Sequence, residues 1–404
     1  MPLNKDIQRD SIPFLVPDLP QTAELLPYLK VIDENRWYSN FGPLVHEFEQ
    51  KISTRFFDEL NPQDERVVAC SNGTTAIELA LRSLRLRKKA RVLVPSFTFP
   101  ASVAAIINAG YAPVFSDVDP ISWQLTPQLA TSILEKAKID AVLPVAALGL
   151  PVNAREWSAF YRRTQIPVVV DAAASLGEQT IAAGISFCFS LHATKALGVG
   201  EGGLVLLPSQ EQAEFARRLS NFGFCEGHIE QSGSNYKLSE LHAAVGLAQL
   251  ERYELIHSRR EHVRLRYQKN LAALMPFCDA QFENDSPMGK SPVVRLQPLR
   301  FRAAVALKMN DRFNVSVLSR FLNESGIGNR RWYHPVAHVH QAYRRFDRVY
   351  SPGQNRLIVT EQLNTQLIGL PFHGFLSDSD VEYVIERVLF NLNRQVSPKA
   401  NTLL

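Results

Sequence analysis

The chain has little cysteine and no long apolar segment. Its 404 residues include four cysteines, Cys70, Cys188, Cys225 and Cys278, and no two of them have a CxxC spacing. Widely separated cysteines of this kind are predicted to be buried free thiols rather than disulfides or zinc ligands. No stretch reaches the roughly 18 apolar residues that a membrane span needs, and the first residues lack the apolar centre of a signal peptide. These absences predict a cytoplasmic protein without membrane contact.

A strong excess of one charge sign is also missing. The formal net charge is +4, and the basic residues are spread along the chain, so no nucleic-acid partner is predicted. His334, His338 and His340 recur at short spacing, but no carboxylate or cysteine accompanies them at the spacing of a metal site, and no metal is predicted. With 46% hydrophobic and 21% charged residues, the composition is that of a globular protein with a substantial core.

Short apolar runs alternate with helical stretches between about residues 67 and 207. This alternation is typical of a mostly parallel sheet covered by helices, and it predicts an α/β fold. Helices are predicted at 76–81 and 101–109, then from 238 to about 274, and at 381–392. Strands are predicted at 91–94, 113–115, 141–145, 167–170, 186–189, 203–207 and 293–296.

The long helical pattern that begins at residue 238 predicts a passage from a large domain into a smaller one. We place the large domain, with an N-terminal segment, at residues 1–255. The smaller domain, which mixes helix and strand, is placed at 256–395. The last residues, 396–404, are predicted to form a tail.

Lys195 stands between a predicted strand and a cluster of glycines. It follows the apolar run 186–189 and precedes the sequence Gly-Val-Gly-Glu-Gly-Gly at 198–203. A lysine at a strand end, beside glycine turns that could receive a phosphate, can form a Schiff base with pyridoxal phosphate. Since most single lysines are solvated, this interpretation depends on other residues.

Three further positions fit such a pocket, and each has a plainer explanation. Residues 71–75, Ser-Asn-Gly-Thr-Thr, end a strand and open a helix, where free N–H groups suit a phosphate or where a simple helix cap would form. Asp171 ends the buried run 168–170, where it could pair with a pyridine nitrogen or cap a turn. Phe99 could cover the cofactor ring or belong to the core. Together with Lys195 they are the parts that a fold type I pyridoxal phosphate enzyme needs.

The chain resembles the DegT/DnrJ/EryC1/StrS family of sugar aminotransferases from about residue 37 to 388. The resemblance implies a fold type I transferase, with a mostly parallel sheet in the large domain and a smaller α+β domain at the C-terminus. Its strongest pieces are Val-Pro-Ser-Phe-Thr-Phe at 94–99, Pro-Val-Phe-Ser-Asp-Val-Asp-Pro at 113–120, Asp-Ala-Ala at 171–173, residues 190–195 with 200–203, and 235–244.

The resemblance implies how the pyridoxal phosphate would be held. Gly73 and Thr74 would bind its phosphate through backbone amides, and Ser190 would add a hydroxyl. Phe99 would stack on the pyridine ring, and Asp171 would pair with the ring nitrogen.

Lys195 would carry the cofactor covalently and then act as the general base. Some relatives have histidine at this position and dehydrate the sugar, so the lysine favours transamination. Asn235 would reach the phosphate in the neighbouring subunit, which implies a homodimer.

The resemblance also implies substrates and a reaction order. The amino donor would be L-glutamate, the acceptor would be a keto sugar linked to a nucleotide, and the two would react in turn by a ping-pong cycle. Five residues in the matching segments are candidates for contact with the substrate: Tyr38, Arg331, Tyr333, His334 and His373.

Departures from the family pattern keep other interpretations open. Ala174 stands where a polar residue is common, residues 146–148 (Ala-Ala-Leu) replace a frequent His-x-Tyr, and Lys237 replaces a common arginine. The pocket wall would therefore be unusually apolar. A non-catalytic regulatory or scaffold protein of the same fold, and a fold type I enzyme that acts on amino acids, remain alternatives.

Overall fold

The computed structural model describes residues 11–57, 65–274, 277–280, 305–351 and 353–396. The strand predicted at 293–296 and all of the predicted tail after residue 396 lie outside these residues. The helices are α1 Thr22–Asn35, α2 Pro43–Phe56, α3 Gly73–Ser83, α4 Pro100–Asn108, α5 Pro127–Leu134, α6 Ala154–Thr164, α7 Gln210–Ser220, α8 Glu240–Glu251, α9 Tyr253–Leu271, α10 Val315–Glu324, α11 Ile358–Gln366 and α12 Asp378–Val396.

The strands are shorter than the helices, and three of them have only two residues. They are β1 Val67–Cys70, β2 Arg91–Pro95, β3 Ala112–Ser116, β4 Ala141–Val142, β5 Val169–Asp171, β6 Ser186–Ser190, β7 Gly203–Leu206, β8 Phe224–Cys225, β9 His228–Ile229, β10 Cys278–Ala280, β11 Val305–Met309 and β12 Leu367–Leu370.

A mostly parallel sheet lies at the centre of the N-terminal part. Two sets of strands, β3-β2-β4 and β5-β6-β7-β1, are joined by isolated parallel bridges between Val142 and Val168 and between Val145 and Asp171. The resulting order is β3-β2-β4-β5-β6-β7-β1, and β7 runs antiparallel to both of its neighbours. The C-terminal ends of β1, β5 and β6 therefore reach the same edge of the sheet.

The strands are apolar on both faces because helices cover both sides of the sheet. Alternate residues of β1 show this arrangement: Val67 packs with Phe187 on one face, and Val68 packs with Val205 on the other. All four side chains are buried. This two-sided burial explains why these strands were visible in the sequence as continuous apolar runs.

The predicted α/β fold is confirmed, with differences at several element ends. The strand expected at 141–145 ends at Val142, although Val145 still bridges Asp171. The helical pattern expected from 238 to 274 is divided at Arg252 into α8 and α9, and its last three residues form a 3-10 turn. Helices α3, α4 and α12 lie where helices were predicted.

A second, antiparallel sheet lies in the C-terminal part. Its order is β10-β11-β12, and its apolar cluster combines Leu307 and Ile368 with Val263 of α9 and Val388 of α12. Ile12 of the N-terminal segment packs into the same cluster. The division of the chain at residue 255 stays a prediction.

The four cysteines are free. Cys70, Cys188 and Cys278 are buried as expected, whereas Cys225 is partly exposed. None of the described helices is both long enough and apolar enough to cross a membrane.

Candidate active site

Because Gly203 has no side chain, the turn that follows β1 lies close to the sheet. Cys70 of β1 and Ser190 of β6 both lie opposite Gly203 of β7. A Cβ atom at position 203 would stand 2.2 Å from the carbonyl oxygen of Asn72 and 2.9 Å from the amide nitrogen of Gly73. A side chain at 203 would therefore push the start of α3 away from Ser190.

The start of α3 is capped and still has two amides to offer. Asn72 Oδ1 accepts a hydrogen bond from the Thr75 amide at 2.9 Å, and Thr75 Oγ1 accepts one from the Asn72 amide at 3.1 Å. The amides of Gly73 and Thr74 donate to no other group of the described residues. Capping and anion binding, which were alternatives in the sequence, are thus compatible, because the cap occupies different N–H groups.

Gly73 brings these amides next to Ser190. A Cβ atom at position 73 would lie 2.8 Å from Ser190 Cβ and 3.2 Å from Ser190 Oγ. The hydroxyl of Ser190 accepts a weak hydrogen bond from the amide of His192 at 3.3 Å and can still donate its proton. Two amides and one hydroxyl therefore converge on one place, and this group suits a phosphate.

Asp171 ends β5 as a buried carboxylate. Its side chain is 5% exposed. Oδ2 accepts a hydrogen bond from Ser102 Oγ at 2.6 Å, and Oδ1 accepts one from the Ala173 amide at 3.1 Å. Burial raises the pKa of this carboxyl, while the bond from Ser102 and the nearby Lys195 act in the opposite direction. Two hydrogen bonds leave lone pairs free on the carboxylate, so a cationic donor would find an acceptor here.

Lys195 lies in the turn after β6 and is electrostatically linked to Asp171. Its backbone amide donates to the carbonyl of His192 at 2.8 Å, which fixes the turn. Burial lowers the pKa of its amine, Asp171 raises it, and Arg260 lowers it further. The net direction is downward, so Lys195 holds more neutral amine near neutral pH than a solvated lysine does.

We call the group formed by Gly73, Thr74, Asp171, Ser190 and Lys195 the cofactor edge. These residues come from α3 and from the ends of β5 and β6, at the C-terminal edge of the large sheet, where ligands bind in open α/β sheets. The free amides of α3, the close approach at Gly73 and the buried carboxylate fit the phosphate and the pyridine nitrogen of pyridoxal phosphate. The assignment of each residue stays a prediction.

Three aromatic side chains lie near the start of α4. Phe99 is 55% exposed, although the plainer interpretation placed it in the core. Tyr333 packs edge-on against Phe97, with ring centroids 5.0 Å apart, and against Phe99 at 6.5 Å. Burial raises the pKa of the Tyr333 hydroxyl, and Asp171 contributes in the same direction. The Phe99 ring is therefore open to a ligand, and Tyr333 links the start of α4 to the surroundings of Asp171.

Arg331 and His334 are bound to the end of α11. Arg331 donates to the carbonyl of Asn364 at 2.8 Å and to the hydroxyl of Ser316 at 3.0 Å. His334 Nδ1 lies 2.9 Å from Asn364 Oδ1. A cation at a helix C-terminus is stabilised without any ligand, so these contacts explain Arg331 structurally, and its role toward a substrate stays a prediction.

His373 and Tyr38 occupy different surroundings. His373 is 4% exposed, and its Nε2 lies 3.1 Å from the carbonyl of Pro13. Burial lowers the pKa of its ring. Tyr38 is exposed, and its carbonyl accepts the amide of Glu240 at the start of α8. Neither side chain has a described contact with the cofactor edge.

Asn235 lies in an extended segment beside the turn after β1. It bridges Asn221, and the next residue, Tyr236, accepts a hydrogen bond from the Ser71 amide at 2.7 Å. Lys237 donates to Asn221 Oδ1 at 2.9 Å, so its amine is used within the chain. The side chain of Asn235 is exposed, and its contact with a neighbouring subunit stays a prediction.

Sequence interpretation missed Ser102, Thr98 and Arg260. Ser102 and Thr98 stand within three residues of Phe99 in the chain. Hydroxyls near a helix start are expected to be caps, and nothing in the sequence shows that Ser102 faces Asp171. Arg260 is buried, and burial lowers its pKa to about 10. Its place in α9, 65 residues after Lys195 in the chain, gives no sequence signal for their proximity.

Within the described residues, no three His, Cys, Asp or Glu side chains are grouped so that they could hold a metal ion. His338 lies 2.6 Å from Ser96 Oγ through its Nδ1, and His340 lies 3.1 Å from the carbonyl of Pro335 through its Nε2. The closely spaced histidines thus have separate partners.

Known proteins match this chain along most of its length. The model of the DegT/DnrJ/EryC1/StrS aminotransferase family matches residues 21–389. A dTDP-4-amino-4,6-dideoxy-D-glucose transaminase from Shigella dysenteriae is 27% identical over 379 residues, which are 92% of this chain and 96% of that protein.

Solved structures show the same similarity. A crystal structure described as a putative PLP-dependent aminotransferase from Bacillus cereus superposes with a TM-score of 0.83, at 26% identity, over 94% of this chain and 100% of the other. A structure of DesI in the presence of its TDP-sugar product gives a TM-score of 0.80, also at 26% identity, over 95% of this chain and 94% of the other.

The fold and the cofactor edge define a fold type I enzyme that depends on pyridoxal phosphate. The family match covers most of the chain, and the chain belongs to the DegT/DnrJ/EryC1/StrS aminotransferase family. It is an aminotransferase, as the resemblance of its motifs implied.

Proposed function

We propose that this enzyme transfers an amino group from L-glutamate to a keto sugar linked to a nucleotide, as a step in amino sugar biosynthesis. The observation that carries the proposal is the convergence of Asp171, Ser190 and Lys195 with the free amides of α3. The names of two relatives, a dTDP-sugar transaminase and a protein solved with a TDP-sugar product, support the class of acceptor. The predicted cytoplasmic location stays a prediction.

In this proposal each residue of the cofactor edge has a separate role. Gly73, Thr74 and Ser190 bind the phosphate, and Asp171 holds a proton on the pyridine nitrogen. Bound pyridoxal phosphate supplies the carbonyl group that takes up the donor's amine and a ring that delocalises the electron pair left on carbon. Lys195, once its amine is free, moves a proton between the donor carbon and the cofactor, since its lowered pKa favours the base form.

The order of the reaction follows from a single site used twice. L-glutamate leaves as 2-oxoglutarate before the keto sugar enters, so the kinetics are ping-pong. The sugar meets a wall that includes Leu148, which is buried and whose amide points at the Tyr333 hydroxyl at 3.4 Å. The apolar wall predicted from residues 146–148 is consistent with this burial.

The working form of the enzyme in this proposal is a homodimer. Asn235 of the partner subunit contacts the phosphate, and its exposure in the single chain supports this role. The segment that carries Asn235 is anchored because Tyr236 donates to Glu78 Oε1 at 2.6 Å. Each active site therefore depends on two subunits.

The first test is spectroscopic. The purified enzyme is expected to absorb visible light, and L-glutamate should move this band to shorter wavelength. Lys195→Ala should abolish the change, whereas Lys51→Ala, which removes an exposed lysine that pairs with Glu47, should leave it intact. A protein that stays colourless with added pyridoxal phosphate would contradict the proposal, and a coloured protein that no amino acid changes would favour a binding protein without turnover.

The sugar substrate is tested by running the reaction in reverse, starting from the amino sugar in the name of the Shigella relative. The enzyme is incubated with dTDP-4-amino-4,6-dideoxy-D-glucose and 2-oxoglutarate, and the formation of L-glutamate is measured, together with parallel assays of other nucleotide-linked amino sugars. Glutamate formation with one of these sugars is expected. Turnover with amino acids alone, and with no sugar in the panel, would favour the amino-acid enzyme.

The shared site is tested by mixing two inactive variants, Lys195→Ala and Asn235→Ala. If Asn235 serves the partner's site, one of the two sites in each mixed dimer has all its residues, and random mixing should recover about a quarter of the activity. No recovery in dimers shown to be mixed would contradict a site completed across the interface.

A further inference from the structure

Two hydroxyl groups stand behind Asp171 on the side of α4. Ser102 and Thr98 are 0% and 1% exposed. Ser102 Oγ lies 2.6 Å from Asp171 Oδ2 and 2.7 Å from Thr98 Oγ1. A line of three side chains therefore runs from the start of α4 to the end of β5.

The direction of these hydrogen bonds follows from their chemistry. An ionised carboxylate can only accept, so the single proton of Ser102 goes to Asp171. Thr98 must then donate its proton to Ser102. Because a hydrogen bond to a charged group is short and strong, the 2.6 Å contact is the principal restraint on Oδ2, and Thr98 orients the Ser102 hydroxyl toward it.

Helix capping does not account for this arrangement. Phe99 is the N-cap of α4, and no side chain caps that end. The Ser102 hydroxyl contacts β5 rather than the backbone of its own helix. A buried serine that supports a strand-end carboxylate has a function beyond the helix that carries it.

The surroundings make this support important for the charge on Asp171. Burial disfavours the ionised carboxylate, and the Ser102 bond is the largest of the opposing influences. Three other titratable groups act on the same site: Lys195, the thiol of Cys188 on β6, and the hydroxyl of Tyr333. Of these, Lys195 alone can supply positive charge.

We propose that Ser102, oriented by Thr98, is a positioning residue that holds Asp171 ionised and in one rotamer, so that its free lone pairs face the pyridine nitrogen of the cofactor. The inference rests on the proposed role of Asp171. Loss of the Ser102 hydroxyl leaves the Ala173 amide as the hydrogen-bond donor that the described residues still offer to Asp171. The pKa of the carboxyl then rises, so Asp171 takes up the proton of the ring nitrogen more readily.

The test measures the protonation of the nitrogen directly. The enzyme is loaded with pyridoxal phosphate labelled with ¹⁵N in the ring, and the nitrogen resonance is followed against pH in the wild type, Ser102→Ala and Ser102→Thr. We expect Ser102→Ala to lose the ring proton at lower pH than the wild type and to bind the cofactor about tenfold more weakly. Ser102→Thr, which keeps the hydroxyl, should restore the wild-type titration.

Ser175→Ala is the matched control. Ser175 is also fully buried, stands four residues after Asp171, and has a hydroxyl without a hydrogen-bond partner among the described residues. Its loss should leave the nitrogen titration unchanged. If Ser102→Ala lowers thermal stability but titrates like the wild type, Ser102 is merely structural and the inference is overturned.

A second variant decides the question if Ser102→Ala does not fold. Thr98→Val keeps the shape of the side chain and removes the hydroxyl, so it should shift the titration in the same direction by a smaller amount. An unchanged titration in Thr98→Val would then overturn the inference. Failure of the proposed role of Asp171 looks different, because the nitrogen would titrate alike in the wild type and in Asp171→Asn.

Discussion

The cofactor edge and the loop that follows α10, residues 330–340, differ in how their polar groups are used. At the cofactor edge, Asp171 and Ser190 end buried strands, and the amides of Gly73 and Thr74 remain free to bind a ligand. In the loop, Arg331 and His334 are already bound to Asn364. The strand ends and the start of α3 offer hydrogen-bonding groups that remain unused, whereas Arg331 and His334 hold the loop against the end of α11.

This difference separates residues that are available to contact a ligand from residues whose polar groups are used within the fold. A carboxylate that the fold buries at a strand end with lone pairs unused has no structural reason to be there, because burial of an unpaired charge costs much free energy. A polar group that closes a hydrogen bond to a helix end has such a reason. Four predictions test the distinction, in order of decreasing effect.

Asp171→Asn should give the largest loss, about 100-fold or more in kcat, because it removes the carboxylate that holds the ring proton.

The same variant should change the pH dependence of stability. Burial raises the pKa of Asp171 above its ordinary value of 3.8, so the folded protein without cofactor binds the proton of this carboxyl more tightly than the unfolded chain. The stability of the folded protein should therefore fall as the pH rises from the ordinary pKa of the carboxyl to its raised pKa in the folded state. The variant should lack this dependence and be at least as stable at pH 7, as measured by thermal unfolding without cofactor. Lower stability together with unchanged kcat would contradict a functional carboxylate.

Ser190→Ala should weaken the binding of pyridoxal phosphate about tenfold, because one hydrogen bond to a charged group is lost. The control is Ser186→Ala in the same strand. The Ser186 hydroxyl is buried and has no hydrogen-bond partner among the described residues, so its loss should not change the affinity. Cofactor affinity is measured by fluorescence titration of the apoenzyme, and equal effects of both variants would place the phosphate elsewhere.

Phe99→Leu should weaken cofactor binding about fivefold, because an exposed ring that stacks on the ligand contributes roughly 1 kcal/mol. Phe97→Leu is its counterpart in the core, since Phe97 is fully buried. That variant should lower thermal stability and change cofactor affinity less. If Phe97→Leu weakened cofactor binding and Phe99→Leu lowered thermal stability instead, the residue that stacks on the cofactor would be Phe97.

Arg331→Ala should have the smallest effect on the substrate. We expect its KM for the keto sugar to change less than about threefold, and its free energy of unfolding to fall by about 1–2 kcal/mol because carbonyl groups at the end of α11 lose a partner. Arg345→Ala, at an exposed position in the same part of the chain, should change neither. A large rise in KM at unchanged stability would show that the loop does bind the sugar, and would remove the contrast with the cofactor edge.

Much of the fold could be predicted because the large sheet is buried on both faces. Apolar runs such as those of β2 and β6 are visible in any reading of the chain, and their alternation with helices identified the α/β class. The division of α8 from α9 at Arg252 could not be predicted, since the residues on both sides favour helix. The early end of β4 depends on pairing with a neighbour that the sequence does not reveal.

The sequence by itself determined which groups stand at the cofactor edge. A strand end followed by a helix start supplies free amides, and a strand end followed by aspartate or lysine presents that side chain at the edge of the sheet, so short local patterns are sufficient. The tertiary structure alone decided what surrounds these residues. Ser102 meets Asp171 from 69 positions away, Arg260 influences Lys195, and Arg331 is bound by α11, because packing joins groups that no local pattern connects.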